Sequence, residues 1–118
     1  MNEELANDSW RHALAFYDTL QGPQWGHIPG FRRLVSAIGR SVEARGLTAV
    51  TSHEILLVSP YTKYPDWFDG RHVRLVPLAD GQVRVERYPA GSQLGAAETW
   101  TATIEDVQAG ALRAIGEL

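Results

Sequence analysis

From Ser9 onward the apolar residues Trp10, Ala13, Leu14, Tyr17 and Leu20 recur at the i, i+3, i+4, i+7 spacing of one helical face. Asp8 or Ser9 is available as the N-cap, and Gly22-Pro23 ends the helix. Residues 23–30 contain three further glycine or proline breakers after Pro23, together with Trp25 and His27. They read as a connection too long for a tight helix-turn-helix corner, which disfavours a DNA-reading motif. Phe31, Leu34, Val35, Ile38 and Val42 form a second apolar stripe, with Gly46 placed as its left-handed cap. Arg32, Arg33, Arg40 and Glu43 occupy the opposite face.

After Gly46 the period changes to that of strands. Residues 47–51 are β-branched and small, Ser52-His53 reads as a turn, and residues 54–59 form a short, almost wholly apolar run. Because that run lacks alternation, it is expected at the centre of the sheet with both faces covered.

Residues 71–88 form a hairpin whose register follows from parity, since Val73, Leu75, Val83 and Val85 must share a face. A two-residue Asp80-Gly81 turn would set Leu75 opposite Glu86 and fails. A three-residue loop, Ala79-Asp80-Gly81, sets Leu75 opposite Val85, Pro77 opposite Val83 and Arg74 opposite Glu86, with Gly81 left-handed. His72, Arg74, Val76, Arg84, Glu86 and Tyr88 then form its solvent face. Arg87 falls on the core side, where it must pair with a carboxylate, snorkel at the sheet edge or line a cavity.

Glu98, Trp100 and Ala102 alternate with Thr99, Thr101 and Thr103, which predicts a last strand at an edge with Trp100 facing the core. Thr103 and Asp106 have the spacing of a capping box, followed by Ile104, Val107, Ala111, Leu112, Ile115 and Leu118 at helical intervals. The order is α-α-β-β-β-β-β-α. It predicts an α+β fold: an antiparallel four- to five-stranded meander sheet with two N-terminal helices and one C-terminal helix packed on one face.

Composition narrows the classes. A chain of 118 residues fits one domain, spanning 1–118, and 44% hydrophobic with 21% charged residues suits neither disorder nor a fibre. Eleven basic against fourteen acidic side chains give a formal charge of −3, where a phosphate binder would show a basic excess. Nucleic acid is therefore disfavoured as a partner. Without cysteine there is no disulfide, thiolate zinc site or cysteine nucleophile. An acidic, polar start and no apolar run approaching ~18 residues point to a soluble cytoplasmic protein with no membrane partner.

The most unusual stretch is residues 59–70, which hold Tyr61, Tyr64, Trp67, Phe68, Pro60 and Pro65 between two strands. Loops run over the surface, where exposed aromatics need a reason. Either Trp67 and Phe68 fold back as a lid on the core, or the segment binds a partner; the two can coexist with Tyr61 and Tyr64 outside. Lys63 and Asp66 would then edge the patch, with Arg74 and Arg84 on the neighbouring sheet face.

Other constellations are weak. Asp66, Asp69 and His72 share an i, i+3, i+6 spacing, but Gly70 and the following strand disperse them, so no metal site is assigned. His53-Glu54 is a base beside a carboxylate, yet adjacent strand residues point to opposite faces. No serine, from Ser9 to Ser92, lies in a nucleophile elbow, and Gly91-Ser92-Gln93-Leu94-Gly95 lacks the lysine of a phosphate loop. Catalytic residues and a cofactor are accordingly not assigned.

Small size, acidity, a cysteine-free α+β outline and the lack of a catalytic constellation resemble the small bacterial proteins that neutralise toxins by binding them. The resemblance is one of outline, and it implies a non-enzymatic protein-binding domain of immunity or antitoxin kind, using Tyr61, Lys63, Tyr64, Asp66, Trp67, Arg74 and Arg84. The alternative is a small-ligand-binding or hydrolytic domain with a pocket between sheet and helices, lined by Trp25, His27, His72 and Arg87.

Overall fold

Helix α1 (Asp8–Asp18) opens the fold in a computed structural model that describes residues 4–91 and 95–118. Its cap is Asn7, just before the expected Asp8 or Ser9: the Asn7 side chain accepts from Ser9 N at 3.1 Å. Trp10, Ala13, Leu14 and Tyr17 are buried, as their spacing requires. The helix stops at Asp18, short of Gly22-Pro23, because the Thr19 hydroxyl turns back to the Phe16 carbonyl at 2.7 Å.

The region read as a long connection is shorter. Pro23–Trp25 forms a 3-10 turn, and helix α2 (Ile28–Gly39) starts inside the stretch expected to be irregular. Pro29 lies in its first turn, where a missing N–H has no helical partner to lose. Helix α2 ends at Gly39, so Val42 leaves the apolar stripe for a second 3-10 turn (Val42–Ala44) and is 65% exposed. Gly46 is left-handed, with φ +77°, but it follows that turn rather than capping α2. A Cβ on Gly39 would lie 2.8 Å from the Trp10 ring, which shows how closely α1 and α2 approach.

Strands β1 (Thr48–Ser52), β2 (Ile55–Ser59), β3 (His72–Pro77), β4 (Gln82–Tyr88) and β5 (Glu98–Thr103) form one antiparallel meander in that order. Helix α3 (Asp66–Asp69), a single turn, interrupts the β2–β3 connection, and α4 (Ile104–Gly116) follows β5. The first hairpin turns on His53-Glu54, one residue later than expected: Ser52 faces Ile55 and His53 takes φ +55°. Strand β2 is second in the sheet and β3 is central, although β2 does have both faces covered. The β3–β4 register is the one parity demands, with Leu75 opposite Val85, Pro77 opposite Val83 and Arg74 opposite Glu86. Gly81 takes φ +86°, and the Asp80 carboxylate accepts from Gln82 N at 3.0 Å.

The inner face carries Ala49, Leu56, Val58, Val73, Leu75, Val83 and Val85 into one core with α1, α2 and α4. Thr103 accepts from Asp106 N at 3.3 Å to start α4. Trp100 and Ala102 pack toward that core, and Thr99, Thr101 and Thr103 are exposed at the edge. At the opposite edge, α1 seals the start of β1. Asn7 Nδ2 and Trp10 Nε1 donate to the Leu47 carbonyl at 2.8 and 3.1 Å, and Ala49 N donates to Ser9 Oγ at 2.9 Å. Among the described residues no helix is long and apolar enough to cross a membrane.

The outer face departs from expectation. His72 and Val76, read as solvent-facing, are 0% and 7% exposed, and Leu57 beside them is 4% exposed.

Candidate functional site

On that outer face, Leu57 and Ile55 of β2 form an aliphatic floor, since strand alternation sends Leu56 and Val58 to the core and their neighbours outward. The segment carrying α3 folds over this floor. Tyr64, Trp67 and Phe68 form a triangle of rings with centroids 5.6 to 5.8 Å apart, within the range in which aromatic pairs attract. Ser52, Ile55, Leu57, the three rings and Arg74 together line a cleft of about 280 Å³. Tyr64 is 73% exposed above it, whereas Trp67 and Phe68 are half-buried. Lys63 and Asp66 beside the rings are exposed. Part of the segment is thus a lid, although it covers the outer face rather than the helical core.

Tyr61 does not join the cluster. A Cβ on Gly70 would come within 2.3 Å of the Tyr61 ring, so that ring packs directly against the glycine. The Tyr61 hydroxyl accepts from Arg71 Nη1 at 3.0 Å, and the same guanidinium stands 5.5 Å from the ring centroid while its Nε donates to the main-chain oxygen of Leu118 at 2.9 Å. Tyr61 is an anchor for the segment. The loop after β4 clasps the same place, because Gly91, at φ +89°, lies so close that a Cβ would be 1.9 Å from the Asp69 carbonyl.

Beyond Arg74 the cleft continues into a polar network. His72 Nδ1 lies 2.9 Å from the Gly70 carbonyl, and Arg74 Nε lies 3.0 Å from His72 Nε2. A carbonyl only accepts and a guanidinium only donates, so the proton is on Nδ1 and Nε2 is bare. The imidazole stacks on Tyr88 with centroids 4.7 Å apart, and the Arg74 guanidinium covers the same Tyr88 ring at 4.4 Å. Glu86 accepts from the Tyr88 hydroxyl at 2.9 Å and from Arg84 Nε at 2.8 Å.

Burial pushes the His72 pKa below its ordinary value and the Arg74 charge adds to this, against the Gly70 bond and the Glu86 charge. Burial and the bonded Glu86 carboxylate raise that of Tyr88.

Of the residues expected to contact a partner, Tyr64, Trp67 and Arg74 therefore line one cleft, Lys63 and Asp66 flank its aromatic wall, and Arg84 lies one contact further, on Glu86. The four residues of the alternative pocket are not brought together. Trp25 and His27 pair at 6.2 Å in the α1–α2 connection, His72 is on the outer face, and Arg87 on the inner side pairs with Glu98 at 2.8 Å. Trp25 lines a separate cleft of about 230 Å³ with Tyr17, Asp18 and Arg32, and Arg32 pairs with Asp18 across it at 2.7 Å.

Asp66 and Asp69 are exposed on α3 while both nitrogens of His72 are engaged, and among the described residues no group of three or more histidine or acidic side chains could hold a metal ion. Ser59 is buried and accepts from Tyr61 N at 3.0 Å. Ser92 and the centre of the 91–95 connection lie outside the described residues.

The network of His72, Tyr88 and Glu86 escaped the sequence reading. A signal for it existed: Leu57 points away from the core, so its cross-strand neighbour Arg74 stands beside an apolar group rather than water. Comparison with known proteins finds no matching family model, curated protein or solved structure.

Proposed function

We propose that this chain is a non-enzymatic protein-binding domain that acts by occupying its partner, as immunity and antitoxin proteins do. Its contact surface is the outer sheet face between α3 and β4. The reading is carried by Tyr64, an aromatic side chain 73% exposed yet backed by Trp67 and Phe68 at the mouth of the cleft. Aromatic side chains already held in place bind at low entropic cost and dominate interface energetics. The cleft, about 280 Å³, leaves room for an inserted side chain of a partner. Exposed Lys63 and Asp66 supply a polar rim of the kind that surrounds interface anchors.

The test is retrieval of the partner by the tagged chain from cells that produce it, followed by direct binding measurements. Tyr64→Ala should weaken the retrieved partner by at least ~2 kcal/mol, about thirtyfold, with the unfolding midpoint unchanged. Amide exchange should slow on binding in residues 61–70 and in β2. A partner that binds Tyr64→Ala at full affinity and protects another face would overturn the assignment.

A further inference from the structure

We infer that His72 and Arg74 form a proton-operated latch on the cleft: a second proton on the imidazole drives the guanidinium off Nε2 and changes the wall that Arg74 presents. As a device of regulation, this rests on the reading of the cleft as a binding site. The latch itself rests on geometry.

Both ring nitrogens of His72 are committed in a fully buried position, Nδ1–H to the Gly70 carbonyl and Nε2 as acceptor for Arg74 Nε–H at 3.0 Å. Proton uptake by Nε2 breaks no covalent bond. It sets one N–H against another at hydrogen-bond distance and one cation against another, so the contact turns from attractive to repulsive. The Gly70 bond survives, because Nδ1 keeps its proton. The moving part is therefore Arg74, not the ring.

The surroundings define where Arg74 goes. From its own strand, Arg74 is the charge facing the ring; from β4, Tyr88 stacks on it and Glu86 is the acid within electrostatic reach, with Tyr88 and Arg84 donating to its two oxygens. From β2, Ser59 lies next in line and uses its oxygen on Tyr61 N; from the α3 connection comes the Gly70 carbonyl. Glu86 stands directly opposite Arg74 in the β3–β4 register. A guanidinium leaving Nε2 thus has a carboxylate across the strand pair, and moving toward it draws the charge away from Trp67 and Phe68. Proton uptake opens the polar end of the cleft.

The experiment uses the free chain, so its outcome is independent of any partner. Nitrogen-15 NMR of the imidazoles and of arginine Nε–H is followed as pH is lowered. Above the transition His72 should show the Nδ1–H tautomer together with a protected Arg74 Nε–H. In a single titration, Nε2 should gain its proton, the Arg74 Nε–H signal should lose protection and the Trp67 indole signal should shift. Arg74→Gln should move the His72 midpoint upward, since a nearby cation is removed, and uncouple the Trp67 shift from it.

His72 titrating with Arg74 and Trp67 unmoved would overturn the latch, as would His72 staying neutral until the chain unfolds. Loss of the latch would leave the Tyr64→Ala test of partner binding unaffected, and failure of that test would leave the NMR result standing.

Discussion

Solvent does not reach the His72 ring, and its neutral form belongs to the folded state. Because its folded pKa is lowered, the unfolded chain takes up this proton first as pH falls. The stability associated with neutral His72 is complete above the unfolded value of about 6.5 and erodes as pH drops from there toward the folded value. The unfolding midpoint should therefore decline more steeply between about pH 7.5 and pH 5 in the wild type than in His72→Gln, as read by denaturant titration at each pH. A second residue-scale contrast concerns two left-handed glycines. Gly46→Ala meets nothing within 4 Å and should cost only the left-handed penalty, roughly 1–2 kcal/mol, whereas Gly91→Ala would set a methyl 1.9 Å from the Asp69 carbonyl. The Gly91 variant should lose clearly more stability by the same measurement, with the added loss felt in the α3 segment.

Elements follow the sequence where one periodicity dominates. Trp10 is fully buried at the centre of the α1 stripe and donates to the Leu47 carbonyl, so Trp10→Ala should cost about 3–5 kcal/mol in chemical denaturation. Thr103→Ala, which removes one cap bond from α4, should cost about 1 kcal/mol. The β3–β4 register was legible because a slip of one residue would expose every core valine. The start of α2 was not, since Pro29 and Gly30 look like breakers and only their position in the first turn makes them harmless. Val42 was misplaced for the converse reason: its spacing continues the stripe after the backbone has left the helix at Gly39. Within the candidate site, the aromatic wall was legible from composition alone. The stack of His72 on Tyr88 was not, because parity assigns a face without saying what later covers it.

At the scale of the molecule the helices guard one side of the sheet and a single turn guards part of the other. The folded chain exposes 6542 Å², close to the roughly 6,400 Å² expected for a monomer of this mass, so the half-open face has not left an excess of surface. Protection should follow the layers. Amides of β3, flanked on both sides and almost wholly buried, should exchange slowest, and those of β5, whose burial alternates at the edge, should exchange faster by hydrogen-exchange mass spectrometry. The two edges are not equivalent, because Asn7, Ser9 and Trp10 occupy main-chain groups at Leu47 and Ala49. A strand arriving at the β1 margin would find the first of its main-chain groups already taken, whereas β5 presents an edge whose threonines are exposed, so pairing between copies is hindered more at the start of β1 than along β5. Replacing Asn7 and Ser9 together with alanine frees the Ala49 N–H and leaves Leu47 with Trp10 as its remaining side-chain donor, and light scattering of that variant should rise with concentration more steeply than that of the wild type.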